Sequence, residues 1–392
     1  MGAGHLDAGE FETLLERNPE LLEVELSNYG EMFLNPRLQD ILRIAFERNV
    51  VLHADNGVNL NHAPEETLEA LVRYRFRSMT VSIDGASAES YARYRVNGDF
   101  ERVIGHIRKI NDYKRQHSTV FPLLSWQFIV FGHNEHEIAA ARRMAAELGM
   151  TFRPKTSWDD DVSPVRNPEL VRIQTGLWPT REAHYRATGT NYLRSICYQV
   201  WHAPVLNWDG RVMGCCRNFW GDFGANAFHD GLAQSLEGPR MQHARRMLMG
   251  RAEPAAEVPC TTCELYLNMR RDGNWITEKE LDRAAGQPGI TVGVAIEAGN
   301  SEATHVDVFI APGGLNRLLL ASSPAAERYR IGDQQAIAFV LAPGREYTVY
   351  ALPKRLDPGF RIHYPPIEPV TLSVAVARRP IVQEFRIRLD GR

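Results

Sequence analysis

Short apolar runs alternate with helical patterns along the first 160 residues. We predict strands over 22–27, 50–54, 78–83, 124–131 and 150–154, and apolar residues spaced three or four apart predict helices over 10–18, 36–48, 64–74, 99–116 and 135–148. Strands that alternate with helices form parallel sheets. We therefore predict an α/β unit over residues 1–160, an open or partial (β/α) barrel whose functional residues lie at the carboxyl ends of the strands.

The pattern changes after this unit. Residues 156–190 are predicted to be irregular, with Asp159-Asp160-Asp161 in a solvated loop. All the cysteines lie within residues 190–275, which we interpret as a second unit, and a helix is predicted over 277–286. Residues 289–392 contain short β-rich runs separated by Gly and Pro, which predict a small antiparallel sandwich-like domain. Its role is expected to be structural, with binding of a substrate or carbohydrate as the alternative.

Length and charge narrow the class of protein. A chain of 392 residues is long enough for two or three domains. A net charge of −3 provides no general attraction to nucleic acid or anionic membranes, so neither is expected as a partner. No stretch is apolar for the length of a membrane span, and the N-terminus lacks a basic region followed by an apolar run. A cytoplasmic location is therefore the expectation.

The cysteines are the first candidate for chemistry. They are Cys197, Cys215, Cys216, Cys260 and Cys263. Thiolates at this spacing bind zinc or an iron–sulfur cluster, and the Cys-x2-Cys pair places two sulfurs on one ion or cluster. We expect Cys197, Cys215, Cys260 and Cys263 to be the ligands, with Cys216 as a spare or substitute. The spacing alone leaves open a zinc site that only holds the fold together.

The segment 207–217, Asn-Trp-Asp-Gly-Arg-Val-Met-Gly-Cys-Cys-Arg, adds a family resemblance. Together with the preceding Cys197, the Gly210-x4-Cys215 spacing and the later Cys260-x2-Cys263, it resembles the auxiliary-cluster domain (SPASM or twitch-like) of radical S-adenosylmethionine (SAM) proteins. The resemblance implies one auxiliary [4Fe-4S] cluster in this part of the chain.

The first half of the chain resembles the same family, and the resemblance extends over about residues 10–275. Gly30-Glu31 resembles part of the Gly-Gly-Glu-Pro loop that binds the SAM amino group, although Tyr29 and Met32 replace its first Gly and its Pro. Asn56-Gly57 resembles the end of the family's third strand, and Val81-Ser82-Ile83-Asp84-Gly85 the end of its fourth. The resemblance implies SAM as cofactor, with Gly30, Glu31, Asn56, Ser82 and Asp84 as binding residues.

One motif of the family is missing. Its members cleave SAM with a cluster held by Cys-x3-Cys-x2-Cys, and this chain has no cysteine before Cys197. The family's first strand and cluster loop are absent too, so the expected fold is a partial (β/α)6 radical SAM barrel. We expect either a fragment of a longer enzyme or a degenerate relative that binds a substrate or partner. Neither is expected to cleave SAM.

In full-length form, the resemblance implies cleavage of SAM to a 5′-deoxyadenosyl radical that modifies a peptide or small-molecule substrate. An electron-donor protein is a further implied partner. His53, His133, His136 and His202 have no spacing that pairs them as metal ligands, and ordinary polar roles are predicted for them.

Overall fold

The computed structural model describes residues 2–285 except Glu20, Leu22, Asn49, Ser118, Asp159, Asp160, Thr190 and Tyr192, and beyond these only the C-terminal strands given below. Most of the predicted acidic loop, Asp159-Asp160, thus lies outside the described residues.

The first unit is a parallel sheet of five strands in the order β1-β2-β3-β4-β5, flanked by helices. This sheet confirms the predicted α/β unit. Its elements in chain order are α1 (Ala8–Arg17), β1 (Glu23–Glu25), α2 (Leu38–Glu47), β2 (Val51–Val58), α3 (Glu65–Arg73), β3 (Ser78–Ser82), α4 (Ala88–Tyr94), α5 (Phe100–Gln116), β4 (Leu123–Val130), α6 (Ile138–Glu147) and β5 (Thr151–Thr156).

Alternation along the strands separates an apolar face from a polar one. Met79 and Val81 on β3, like Trp126 and Phe128 on β4, belong to the core that the helices cover. Thr80, Ser82, Ser125 and Gln127 alternate with them and are also buried. Because side chains alternate with period two, these polar groups share the opposite face. The sheet therefore carries hydrogen-bonding groups where a closed apolar barrel would carry aliphatic ones.

Residues 156–190 correct the sequence-based expectation, because they contain two helices, α7 (Pro168–Thr175) and α8 (Arg181–Thr188). Asn167 accepts a hydrogen bond from the backbone of Leu170, and Thr180 caps α8 in the same way. Helix α8 has no buried residue. Both helices are therefore specified mainly by their ends, which an apolar-periodicity criterion does not detect.

The cysteine unit is a set of short helices around its own apolar core, which includes Met241, Met247, Tyr266 and Met269. Its helices are α9 (Gln199–His202), α10 (Ala227–Asp230), α11 (Leu232–Leu236), α12 (Pro239–Leu248), α13 (Glu264–Asp272) and α14 (Glu278–Ala285). None of the described helices is long and apolar enough to span a membrane.

The described C-terminal strands form two sheets. They are β6 (Ile290–Glu297), β7 (His305–Pro312), β8 (Glu327–Arg330), β9 (Ala336–Leu341), β10 (Glu346–Leu356), β11 (Ile362–His363), β12 (Val370–Ala375) and β13 (Gln383–Arg388). Strand β10 pairs antiparallel with β7, β11 and β12, and β7 with β8. Strand β6 pairs antiparallel with β9 but parallel with β13, so the expectation of a wholly antiparallel domain is wrong at that pair. Strands so far apart in the chain need no hairpin and can pair in either direction.

Candidate functional site

The loop after β1 carries the first predicted cofactor residues. Gly30 has a φ of 73°, the left-handed region that glycine adopts most easily. The Glu31 carboxylate accepts hydrogen bonds from the backbone N–H of Phe33 at 3.2 Å and of Asn59 at 2.6 Å. Burial raises the pKa of Glu31 against the effect of these donors. The carboxylate therefore joins the loop after β1 to the loop after β2.

The end of β2 lies against the end of β3. The backbone N–H of Asn56 donates to Ser27 Oγ at 3.0 Å, while the Asn56 residue itself is exposed. Ser82 Oγ accepts from Gln127 Nε2 at 3.3 Å, and Gln127 Oε1 accepts from Lys155 Nζ at 2.5 Å. Polar contacts thus join the loop after β1 to β2, and β3 through β4 to β5, at the end of the sheet where the sequence predicted the functional residues.

Gly57 allows the close approach of β2 to Ser82. Its φ is 123°, and a Cβ at this position would lie 2.7 Å from Ser82 Oγ. We expect Gly57→Ala to lower the free energy of unfolding by about 1–3 kcal/mol, since a side chain there is both strained and obstructed. Urea unfolding measures the change.

Gly105→Ala is the matched control for this substitution. Gly105 lies inside α5, where an added Cβ meets no atom within 4 Å. Alanine is favoured over glycine in a helix by about 0.5–1 kcal/mol, so the control should stabilise the protein. Equal effects of the two substitutions would contradict the role given to Gly57.

Asp84 is the most deeply buried of the predicted cofactor residues, with no solvent exposure. Its Oδ1 accepts from the backbone N–H of Ile129 at 2.8 Å, and its Oδ2 accepts from Arg95 Nε at 2.7 Å and lies 2.6 Å from Arg95 Nη2. Burial raises the pKa of Asp84, and Arg95 opposes that rise. The carboxylate thus fixes β3 to β4 and to the end of α4.

Four of the five cysteines line a single cavity, and they come from three separate segments. They are Cys197, Cys215, Cys260 and Cys263. The cavity is otherwise bordered mainly by apolar side chains, among them Val200, Phe223, Leu248 and Leu265. The structure therefore groups the four residues that the sequence favoured as ligands.

Burial raises the pKa of three of the thiols that line the cavity. Burial, followed by the neighbouring thiols Cys215 and Cys263, raises the pKa of Cys197. Burial raises the pKa of Cys215 to about 11, although the N–H groups of Arg217 and Asn218 act to lower it. Burial likewise raises the pKa of Cys260. A thiol whose pKa is raised by burial is a poor nucleophile at neutral pH.

Cys216 does not line the cavity that holds the other four. Its backbone N–H donates to Gln199 Oε1 at 2.8 Å. Burial raises the pKa of its thiol, and the negative charge of Glu25 raises it further. The structure thus separates Cys216 from its sequence neighbour Cys215.

Tyr29 connects the sheet to the cysteine unit. Its hydroxyl donates to the carbonyl oxygen of Cys215 at 2.9 Å and also contacts that of Asn218. The residue that departs from the family's glycine is therefore the one that contacts the cysteine loop, a role that local sequence does not reveal.

An ion pair closes the cysteine unit. Arg194 Nη1 donates to Glu280 Oε1 at 2.5 Å, and Nη2 donates to the carbonyl of Trp275 at 2.7 Å. The hydrogen bond from Arg194 is the main cause that lowers the pKa of Glu280 to about 2 from its usual 4.5. This stabilisation is present above about pH 4.5 and is lost as the pH falls towards 2.

We expect Glu280→Gln to destabilise the chain by about 1 kcal/mol at neutral pH, and the difference from the wild type to shrink at about pH 3. Urea unfolding at both pH values measures it. Glu278→Gln is the control, because that carboxylate is 71% exposed and pairs with an exposed Arg251. An unchanged difference at acidic pH would contradict the assignment.

Two of the four histidines considered from the sequence have simple polar contacts. His202 Nε2 lies 3.0 Å from the carbonyl of Leu281, and His133 Nδ1 lies 2.9 Å from Ser163 Oγ. His53 differs, because it lies among Glu23, Glu25 and Asp55. Sequence reasoning missed this group, although Glu-x-Glu lies on one predicted strand and His-x-Asp at the end of the next.

No family model matches this chain, and no curated protein sequence matches it. Among solved structures it is similar to Streptococcus suis SuiB bound to S-adenosylmethionine, with a TM-score of 0.47, 13% identity, and coverage of 68% of this chain and 65% of that one. SuiB bound to the precursor peptide SuiA has a TM-score of 0.47 and 12% identity, with coverage of 68% of this chain and 64% of that one. Native anSMEcpe with bound AdoMet has a TM-score of 0.40 and 11% identity, with coverage of 68% of this chain and 80% of that one. The chain thus matches less than two thirds of the SuiB length.

Proposed function

We propose that this chain is an iron–sulfur protein of the radical SAM type, with one [4Fe-4S] cluster bound by Cys197, Cys215, Cys260 and Cys263. The observation that carries the proposal is that these four cysteines line one largely apolar cavity. Four thiolates are the usual ligand set of such a cluster.

The sulfur atoms are not gathered as closely as they would be around a single zinc ion. Among the described residues, no three cysteines have sulfur atoms that all lie within 4.8 Å of one another. Thiolates around one tetrahedral zinc, each about 2.3 Å from the metal, lie about 3.8 Å from one another. A four-iron cluster needs a wider spacing because each thiolate binds a different iron.

The residues around the cavity have roles that suit a redox centre. When bound, the cluster supplies one-electron chemistry. The border of the cavity is mainly apolar, and the backbone N–H groups of Arg217 and Asn218 donate to Cys215. Tyr29 holds the backbone of this loop against the sheet. These contacts are of the kind that set the potential of a cluster.

We further propose SAM binding at the carboxyl end of the sheet, through Gly30, Glu31, Asn56 and Ser82, with Asp84 beneath them. A carboxylate has about four acceptor sites, and the backbone takes two at Glu31, from Phe33 and Asn59. The remaining sites suit an ammonium group. The proposed substrate is a peptide or small molecule, and an electron-donor protein would supply the reductant.

SAM cleavage is not expected of this chain, because no cysteine precedes Cys197 to hold a second cluster at the sheet. Incubation with SAM and a strong reductant should produce no 5′-deoxyadenosine. Chromatography of the reaction mixture measures it, and turnover that scales with protein would contradict the expectation.

Anaerobic reconstitution with iron and sulfide tests the proposal, with iron, zinc and the visible spectrum measured on the same sample. We expect about four irons per chain and a brown protein. One zinc per chain and no iron would overturn the proposal and would make the cysteines a structural zinc site.

A further inference from the structure

Four ionisable side chains meet on the first two strands of the sheet, apart from the cavity that holds the cysteines. Strands β1 and β2 are parallel, with Glu25 opposite His53. Residues two apart on a strand point to the same side, so Glu23, Glu25, His53 and Asp55 share one face. His53 Nδ1 lies 2.9 Å from Asp55 Oδ2 and 3.3 Å from Glu25 Oε2.

We propose that Glu25, His53 and Asp55 bind one divalent first-row metal ion, at a site distinct from the cysteines. One ligand atom from each residue lies within 4.8 Å of the other two. Two carboxylates and one imidazole are a set that Mn²⁺, Fe²⁺ or Zn²⁺ accepts, whereas the thiolates select softer metals. Three protein ligands leave coordination positions for water or a substrate oxygen.

The spacing of the ligand atoms suits a single ion. Metal–nitrogen and metal–oxygen bonds of about 2.1 Å place neighbouring ligand atoms about 3.0 Å apart at right angles and about 3.4 Å apart in a tetrahedron. The distances from His53 Nδ1 to the two carboxylates, 2.9 and 3.3 Å, agree with this range. An ion would replace the Nδ1 proton with little movement of the strands.

The orientation of His53 is fixed from its other nitrogen. Nε2 lies 2.9 Å from Glu23 Oε1, and both oxygens of Glu23 accept from Arg77 at 2.6 Å. Histidine ligands commonly donate their second N–H to a carboxylate, which sets the tautomer and raises the basicity of the coordinating nitrogen. The arrangement leaves Nδ1 as the atom that faces Glu25 and Asp55.

The two carboxylates are oriented as well. Glu25 Oε1 accepts from the backbone N–H of Ser27 at 2.7 Å and from Ser27 Oγ at 2.5 Å, which turns Oε2 towards His53. Asp55 Oδ2 accepts from Ser78 Oγ at 3.0 Å. Each ligand is thus held by a neighbour on the sheet or the adjoining loop, as in prepared metal sites.

The charge of the group is compatible with a bound cation. Glu23, Glu25 and Asp55 carry three negative charges and Arg77 carries one positive charge, so the balance is −2 when His53 is in the neutral form that binds a metal. A divalent ion cancels that balance. The side chains of Glu25, His53 and Asp55 are 25%, 13% and 32% exposed, so the site is half-buried but open to an entering ion.

Mn²⁺ titration of the full chain, followed by the electron paramagnetic resonance signal of free Mn²⁺, tests the proposal. We expect saturable binding of about one ion per chain, weakened at least tenfold by Glu25→Gln and about 10–100-fold by Glu23→Gln, which removes only the support of His53. Asp40→Asn, in an exposed ion pair on α2, should bind as the wild type does. Circular dichroism checks that each variant is folded.

A Cys260→Ser variant separates this proposal from that of the cluster. It should keep full Mn²⁺ affinity whether or not it holds iron. Loss of Mn²⁺ binding in that variant, equal affinities of Glu25→Gln and Asp40→Asn, or the absence of saturable binding would each overturn the site and leave an ion-pair network in its place.

Discussion

Replacing Cys260 by serine is expected to remove most of the iron, about four atoms per chain, from the reconstituted protein. A hydroxyl is a poor substitute for a thiolate, and Cys260 lies in the cavity with Cys197, Cys215 and Cys263. Cys197→Ser, Cys215→Ser and Cys263→Ser should have the same effect. Iron analysis and the visible spectrum of anaerobically prepared variants measure it.

Cys216→Ser is the matched control, since Cys216 is adjacent to Cys215 in sequence but does not line the cavity. The variant should retain its iron and its spectrum. An equal loss of iron from Cys216→Ser and Cys215→Ser would mean that Cys216 is a ligand, and the set of four would need revision. Retention of iron by the Cys260 and Cys263 variants would contradict the cluster assignment itself.

The parts of the fold predicted from sequence are those that depend on local periodicity. The strands β1–β5 and the helices α2, α3, α5 and α6 follow apolar spacing, because one face of each element must be buried against the next, whereas the short helix α4 was not predicted. Helices α7 and α8 escaped prediction because Asn167, Thr180 and their terminal glycines specify them. The parallel pairing of β6 with β13 depends on contacts between distant strands, which spacing does not encode.

In the candidate site, too, local spacing predicted some residues and contacts between distant segments determine the others. Spacing selected Cys197, Cys215, Cys260 and Cys263, but it could not place Cys216 outside their cavity, because adjacent residues face different ways only once the loop is folded. The group around His53 required the register of β1 on β2, which brings Glu25 opposite His53. Alternating charged residues on two consecutive strands were the available signal.

Asp84→Ala is expected to destabilise the sheet unit by about 3–5 kcal/mol, the usual cost of removing one partner from a buried ion pair. The substitution leaves the backbone N–H of Ile129 without an acceptor and Arg95 without its carboxylate. Asp84→Asn keeps one acceptor and should cost less. Urea unfolding measures both, with Asp112→Ala as a control, because Asp112 is 51% exposed and pairs with Arg115 on the surface.

The same comparison separates the structural role of Asp84 from the cofactor role that the family resemblance implies. Its carboxylate is fully buried and accepts hydrogen bonds from Ile129 and Arg95, so the first consequence of its loss should be lower stability. Glu31 retains acceptor sites, so Glu31→Gln should weaken SAM binding, measured by calorimetry, in a folded protein. A stable Asp84→Ala variant with weakened SAM binding would contradict the structural role and would indicate that Asp84 contacts the cofactor directly.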